Sequence, residues 1–232
     1  MTFAFTPVAQ AAVPIAGSDA LFPVHRIYCV GQNYAAHAKE MGSSGREAPF
    51  FFTKPADAVV PVADGTVGQM PYPSATQNLH HEIELVVAIG RAGKNIAASD
   101  ATAYIFGYAI GLDMTRRDLQ ADAKKAGRPW STAKGFDYSA PIGPIQPIDR
   151  LTALDANAAI GLSVNAGVRQ QGLLGDMIWN VSETIAYLST LFALQPGDLI
   201  FTGTPEGVGP VVRGDLMMGS IDGLGRLQVV VV

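Results

Sequence analysis

The sequence of 232 residues contains a single cysteine, Cys29, so an internal disulfide is impossible. It has no stretch of about 18 apolar residues without a charge, proline or glycine, which argues against a membrane-spanning helix. It also lacks a block of lysines and arginines, and its formal net charge is -4. We therefore expect neither a membrane nor a nucleic acid as partner, and small molecules are better candidates.

The N-terminal segment lacks the basic stretch of a secretion signal, and Pro7 and Pro14 interrupt its apolar part. We therefore expect a cytoplasmic protein. In that compartment Cys29, which lies in an apolar run, is expected to be a buried free thiol with no catalytic role.

What is present is typical of a compact, turn-rich protein. Hydrophobic residues make up 48% of the chain and charged residues 16%, with 25 glycines and 15 prolines. We interpret residues 1–24 as an irregular N-terminal arm and residues 25–232 as one main domain.

Short apolar runs bounded by glycine or proline predict strands, and the pattern predicts few helices. Pro55 and Pro61 favour edge strands or bends over a central strand for residues 50–62. The predicted helices are Tyr34–Met41 capped by Asn33, a helix that opens with the capping-box pattern Thr115-x-x-Asp118 and runs to Gly127, and one within residues 177–194. Without a regular alternation of strand and helix, the predicted class is α+β with mostly β structure.

The segment LHHEIELVVAIG, Leu79 to Gly90, is apolar enough for an interior strand but contains two glutamates. Alternation along a strand places Glu82 and Glu84 on one face and Ile83 and Leu85 on the other. Two carboxylates so close repel each other, and a divalent cation between them would remove the conflict. The alternative is an open-faced strand with two solvated glutamates.

A third carboxylate, Asp113, ends the apolar run YAIGLD. Helix capping is the alternative role, but Thr115 occupies the better capping position. Three carboxylates from two strands favour Mg²⁺ or Mn²⁺ over a thiolate-binding metal. His80 or His81 can replace one ligand, although packing is the commoner role of such histidines.

Two further patterns suggest proton transfer and anion binding. His37 and Glu40 are three residues apart on a predicted helix, so Glu40 can polarise His37 as a general base, although a surface pair is the plainer interpretation. Lys134 lies among Gly, Ser and Pro, where it can meet an oxyanion or simply be solvated. The loop Thr202–Gly209 can offer backbone N–H groups to a small anion, or be only a tight turn.

The charged residues around the second predicted helix are interpreted as a solvated face with ion pairs. They are Arg116, Arg117, Asp118, Asp122, Lys124, Lys125 and Arg128.

Six segments in order, CVGQNYAAHAKEM, FFFTKPADAV, HHEIELVVAIG, GYAIGLDMTRRDLQ, AKGFDYSAPIGP and DLIFTGTPEGVG, resemble the successive signatures of the fumarylacetoacetate hydrolase family. The resemblance extends from about Arg26 to the C-terminus. It implies a mixed β-roll, usually a homodimer, with a catalytic domain at residues 25–232.

The resemblance also implies roles for individual side chains. It assigns Glu82, Glu84 and Asp113 to a Mg²⁺ or Mn²⁺ ion, His37 and Glu40 to water activation, Lys134 to the substrate oxyanion, and Gln120, Gly203 and Thr204 to the substrate pocket.

The motifs with GRPW are most similar to family members that act on fumarylpyruvate in gentisate breakdown. The implied reaction is hydrolysis of a carbon–carbon bond in a 2,4-dioxo acid, giving fumarate and pyruvate from this dicarboxylate. Other acylpyruvates, oxaloacetate decarboxylation or tautomerisation, and non-catalytic dicarboxylate binding are the alternatives. Gln32 replaces an arginine common in relatives, and Asn165-Ala166-Gly167 departs from a frequent NGE turn, which bears on the substrate more than on the metal.

Overall fold

The computed structural model describes residues 2–34, 46–151 and 154–232. Within these ranges the chain is mostly strand, with three α-helices, as the predicted α+β class requires. No helix in the described ranges is long and apolar enough to cross a membrane. The α-helices are α1 (Arg117–Lys125), α2 (Ser131–Lys134) and α3 (Val181–Leu191).

Eighteen strands lie within the described ranges. They are β1 (Ala12–Pro14), β2 (Leu21–Pro23), β3 (Ile27–Gly31), β4 (Phe50–Lys54), β5 (Val59–Pro61), β6 (Val67–Met70), β7 (Leu79–His81), β8 (Ile83–Ile89), β9 (Ile105–Leu112), β10 (Thr115–Arg116), β11 (Ala140–Ile142), β12 (Gln146–Pro147), β13 (Ala159–Val164), β14 (Gly167–Leu173), β15 (Leu199–Phe201), β16 (Gly209–Val211), β17 (Leu216–Ile221) and β18 (Gly225–Val231). Four short 3₁₀ helices, Ala56–Ala58, Ala98–Tyr104, Ile148–Arg150 and Leu174–Asp176, complete the described elements.

Two mixed sheets enclose the main core. The larger has the order β4-β3-β15-β8-β9-β11-β5, with β12 also paired to β9, and the smaller has the order β14-β13-β17-β18-β6. Side chains of both sheets, including Ile83, Leu112, Leu162 and Leu227, form one buried apolar cluster between them. The pairing is mixed, since β15 runs parallel to β3 and antiparallel to β8. The predicted β-roll is confirmed.

The segment rich in proline supplies both edges of the larger sheet. β4 and β5 stand at opposite ends of its strand order, as the sequence predicts. Proline removes a backbone donor, so such residues suit strands with one unpaired side.

The segment Leu79 to Gly90 is not one strand. β7 pairs with β10 and β16 in a separate three-stranded sheet, whereas β8 pairs with β9 and β15 in the larger sheet. Glu82 lies between the two strands, where the chain passes from one sheet to the other. All seven residues of β8 are buried, so both of its faces are packed.

The N-terminal arm is more regular than predicted. β1 and β2 form an antiparallel pair, and Val13 and Phe22 are buried in a cluster with Ile27. Apolar burial therefore fixes residues 12–23 against the main body. The division into an arm and a domain at residues 25–232 stays a prediction.

Two predicted helix starts have different outcomes. The helix expected at Tyr34–Met41 lies outside the described ranges except for its first residue. The expected capping box at Thr115 is wrong, since Thr115 belongs to β10 and α1 begins without a side-chain cap. Tertiary pairing of β10 with β7 replaces the local cap.

We predict that Phe201→Ala destabilises the fold by about 3–5 kcal/mol, because it empties a fully buried aromatic site on the central strand β15. Urea unfolding followed by circular dichroism measures the change. Phe5→Ala is the matched control, since Phe5 is 79% exposed and should change stability by about 0.5 kcal/mol or less. Equal losses in both variants would contradict this assignment of the core.

Candidate active site

Three buried carboxylates meet where β8 and β9 lie side by side. Ile83 is paired with Leu112, and the backbone N–H of Asp113 donates to the carbonyl of Glu82 with an N···O distance of 2.8 Å. Glu84 lies on the same strand opposite Gly111. Glu82, Glu84 and Asp113 each offer an oxygen within 4.8 Å of the others, and all three residues are buried.

Cationic side chains surround this acidic triad. The Lys134 Nζ atom lies 2.7 Å from Glu82 Oε2 and 2.7 Å from Asp113 Oδ2. Lys54 Nζ lies 2.8 Å from Asp113 Oδ1, and an Arg117 guanidinium nitrogen lies 2.5 Å from Glu82 Oε1. Buried charges are tolerated only when paired in this way.

Glu84 is the member of the triad with the least compensation. Its Oε2 accepts the Gly203 N–H at 2.8 Å, and it has no ion pair within the described ranges. Burial, followed by the nearby charges of Asp113 and Glu82, raises its pKa well above the usual value. Burial acts to lower the pKa of Lys134, but the negative charges of Asp113 and Glu82 outweigh it and raise this pKa.

The arrangement fits a divalent cation. The three donors are hard carboxylate oxygens, the kind that Mg²⁺ and Mn²⁺ prefer. A carboxylate has about four lone-pair sites, so oxygens that accept from lysine can still bind a metal. A cation there would also supply the positive charge that Glu84 lacks.

A narrow cleft opens beside the triad. Six predicted site residues line it, and Asp113 lies behind them, paired with Lys134. The lining residues are Val30, Gly31, Gln32, Phe52, Glu82, Glu84, Arg117, Gln120, Trp130, Lys134, Gly203 and Thr204. The solvated alternatives for the two glutamates and for Lys134 are therefore excluded, because all three are buried.

The predicted base pair, His37 and Glu40, lies outside the described residues. Gly31 and Gln32, shortly before it in the chain, line the cleft. Gln32 has a φ of 55°, a left-handed conformation uncommon for residues other than glycine. The side-chain amide of Asn33 joins the backbones of Trp179 and Thr202, and the helix that it is predicted to cap lies outside the described residues.

Arg117 was interpreted from the sequence as part of a solvated face, and that prediction is wrong. Its guanidinium contacts Glu82 and lies 2.5 Å from Gln120 Oε1 and 3.4 Å from His80 Nδ1. Burial, followed by the positive charge of Arg117, lowers the pKa of His80 to about 4. His80 is therefore neutral at neutral pH and can accept a hydrogen bond at Nδ1. The pairing of Thr115 with His80, which sequence periodicity does not show, turns Arg117 inward.

Lys54 was not predicted as a site residue. Its buried ammonium donates to the carbonyls of Met114 and Lys134 and pairs with Asp113. The available signal was alternation, since Phe50, Phe52 and Lys54 share one face of β4.

Gly203 lines the cleft, but its N–H donates to Glu84. This N–H is therefore not available to a substrate anion, contrary to the prediction for this loop. Its φ is 98°, and a Cβ there would lie 2.7 Å from the Asn33 Cβ, so the position requires glycine.

Comparison with known proteins agrees with this geometry. The family model described as fumarylacetoacetate (FAA) hydrolase C-terminal matches residues 26–232. The chain belongs to the FAA hydrolase family.

Its relatives in the FAA hydrolase family carry different activities. A crystal structure of fumarylpyruvate hydrolase from Pseudomonas aeruginosa, in complex with Mn²⁺ and pyruvate, is 56% identical, covers 100% of this chain and 99% of its own, and superposes with a TM-score of 0.97. The mitochondrial oxaloacetate tautomerase of Arabidopsis thaliana is 44% identical, covering 88% of this chain and 89% of its own. The oxaloacetate tautomerase of Escherichia coli (strain K12) is 42% identical, with 87% and 90% covered.

We predict that Glu84→Gln abolishes stabilisation by metal. In the native protein, Mn²⁺ at 100 times its Kd should add about 2.7 kcal/mol to the free energy of unfolding. Glutamine keeps an oxygen for the Gly203 N–H but lacks the charge that a cation needs. Thermal melting with Mn²⁺ and with EDTA measures the difference.

The same variant should be more stable than the native protein without metal at neutral pH. The pKa of Glu84 is raised in the folded state, so its contribution to stability falls as pH rises above the usual value near 4.5. Glu206→Gln, an exposed change in the neighbouring loop, should leave both the melting temperature and its response to Mn²⁺ unchanged. Equal Mn²⁺ responses in the two variants would contradict the assignment of Glu84.

Proposed function

We propose that this protein hydrolyses fumarylpyruvate to fumarate and pyruvate with Mg²⁺ or Mn²⁺ as cofactor. The observation that carries the proposal is the cleft at which Lys134 and Arg117 meet the acidic triad, with Glu82 and Glu84 in its wall. The 56% identical fumarylpyruvate hydrolase, whose complex contains Mn²⁺ and pyruvate, supports it. A homodimer and a single catalytic domain at residues 25–232 are part of the same proposal.

The reaction consumes one water. Its oxygen adds to the C4 carbonyl, the C3–C4 bond breaks, and the bonding electrons pass to the pyruvate unit as an enolate that takes up a proton. Charge therefore develops on two oxygens, one at C4 and one at C2. The site needs positive charge near both and a base for the water.

The cleft supplies the first requirement. Arg117 and Lys134 lie at its wall, where their positive charges attract a dianionic substrate and stabilise developing oxyanions. The Gln120 amide and the Thr204 hydroxyl line the same cleft and can bind substrate oxygens. A divalent cation held by Glu82, Glu84 and Asp113 would supply Lewis-acid stabilisation of negative oxygen.

His37, polarised by Glu40, is proposed as the base that accepts a proton from water. The position of Gly31 and Gln32 at the cleft supports this assignment, because His37 follows them closely in the chain. A histidine has an ordinary pKa close to neutral pH, which suits proton transfer there.

The first test is substrate turnover. Purified protein should consume fumarylpyruvate and release fumarate and pyruvate in equal amounts, measured by chromatography. EDTA should stop the reaction, and added Mg²⁺ or Mn²⁺ should restore it. Maleylpyruvate, other acylpyruvates and oxaloacetate are assayed in parallel. If no 2,4-dioxo acid is lost in a metal-dependent manner, the hydrolase proposal is wrong.

Oxaloacetate tautomerisation is the second candidate, because relatives that are 44% and 42% identical carry that activity. Neither tautomerisation nor decarboxylation consumes water. Tautomerisation moves a proton from C3 to the C2 oxygen and so needs a base, whereas decarboxylation releases CO₂ and leaves an enolate without one. The same cations would serve all three reactions, so hydrolysis and decarboxylation differ in their need for the base.

We predict that His37→Ala lowers hydrolysis about 10²–10⁴-fold and affects any decarboxylation of oxaloacetate far less. Steady-state rates on both substrates give the ratio. His25→Ala is a suitable control, since His25 pairs with Asp198 and does not line the cleft. Equal losses on the two substrates would contradict the role of His37 in activating water.

A further inference from the structure

Gln170 is a buried side chain of β14 that uses every hydrogen-bonding position of its amide. It is 1% exposed. Its Oε1 lies 2.9 Å from His81 Nδ1 and accepts the Ile83 N–H at 3.1 Å. Its Nε2 donates to Thr204 Oγ1 at 2.8 Å and to the Pro205 carbonyl at 2.8 Å.

The two backbone partners fix the orientation of this amide. The Ile83 N–H can only donate and the Pro205 carbonyl can only accept, so the oxygen and nitrogen of Gln170 cannot be exchanged. His81 must then carry a proton on Nδ1 to reach Oε1. Thr204 Oγ1 must accept from Nε2, which directs its own hydroxyl proton elsewhere.

The partners of Gln170 belong to both halves of the site. His81 and Ile83 flank Glu82 at the point where the chain leaves β7 for β8, and both bind one oxygen. Thr204 lines the cleft. Gln170 itself is not among the lining residues and reaches the site only through these neighbours.

We propose that Gln170 is a positioning residue that holds the bend carrying Glu82 and turns the Thr204 hydroxyl into a hydrogen-bond donor for a substrate oxygen. This inference rests on the proposed function of the same cleft. The acceptor half of the amide acts on the metal-binding side, and the donor half acts on the substrate side. Substitutions can therefore separate the two effects.

Gln170→Met removes both the acceptor and the donor of the amide and keeps a side chain of nearly the same length. Its loss of buried hydrogen bonds should weaken Mn²⁺ binding about tenfold and raise KM about tenfold. Gln170→Glu keeps an acceptor for His81 and Ile83, so Mn²⁺ binding should stay within about threefold while KM rises. Isothermal titration with Mn²⁺ in the absence of substrate gives the first quantity.

Thr204→Val completes a double-mutant cycle. Alone it should raise KM about tenfold with kcat within about twofold and leave the Mn²⁺ Kd unchanged, because the lost bond is uniform binding. Combined with Gln170→Met, KM should be close to that of Gln170→Met alone, since both changes remove one interaction. Gln171→Met is the control, because Gln171 is the exposed neighbour on β14 and should change neither quantity.

A KM increase of about a hundredfold in the double variant, or native Mn²⁺ affinity in Gln170→Met, would overturn the inference. Circular dichroism checks folding, and if Gln170→Met does not fold, the cycle is run with Gln170→Glu. If the native protein is active and the KM effects of the two substitutions multiply, this inference is wrong and the proposed function stands. Native protein without turnover contradicts the proposed function, and binding of pyruvate to the Mn²⁺-loaded variants then completes the cycle.

Discussion

The need to compensate three buried carboxylates is the constraint on which the rest of the structure depends. Glu82, Glu84 and Asp113 lie where little water reaches, and an unpaired charge there would be prohibitively unfavourable. Lys54, Lys134 and Arg117 come from three different elements to pair with Glu82 and Asp113, whereas Glu84 accepts only the Gly203 N–H among the described residues. Each of these elements must therefore pack correctly for the site to keep its charges.

The strands make this meeting possible. Antiparallel pairing of β8 with β9 brings Asp113 beside Glu82, although 31 positions separate them in the chain. The chain changes sheet at Glu82, and the carboxylate at this point pairs with two cations, Arg117 and Lys134. Gly203 then permits the β15 loop to approach Glu84 closely enough to donate its N–H. The geometry of the acidic triad thus depends on the register of β8 and β9, on the change of sheet at Glu82 and on the left-handed conformation of Gly203.

The sequence reveals the acidic triad because strand alternation is a local rule. Glu82 and Glu84 are unusual in an apolar run, and Asp113 ends another, so their convergence follows once the two runs pair. The inward orientation of the Arg117 and Lys54 side chains depends on tertiary packing. Arg117 belongs to a helix whose composition is that of a solvated face, and only the pairing of β10 with β7 turns its first residue inward.

The error at Thr115 has the same origin. Its pattern with Asp118 satisfies the local rule for a helix cap, but Thr115 is taken into β10, and its hydroxyl lies 3.2 Å from the Asp113 carbonyl. Gln170 is hidden from sequence patterns for a related reason, since its partners come from segments about 35 and 90 residues away. Long-range packing decides these positions.

The ion pairs of Lys54 and Lys134 also bear on how the enzyme matures. In a zinc finger, the unfolded chain waits for its metal because nothing else gathers the ligands. Here lysine ammonium groups gather two of the carboxylates, and the surrounding strands close over them, so these two ligands come together without a metal. A divalent cation would then enter a site that the fold has already formed, and the one it takes would depend on cellular supply as well as on affinity.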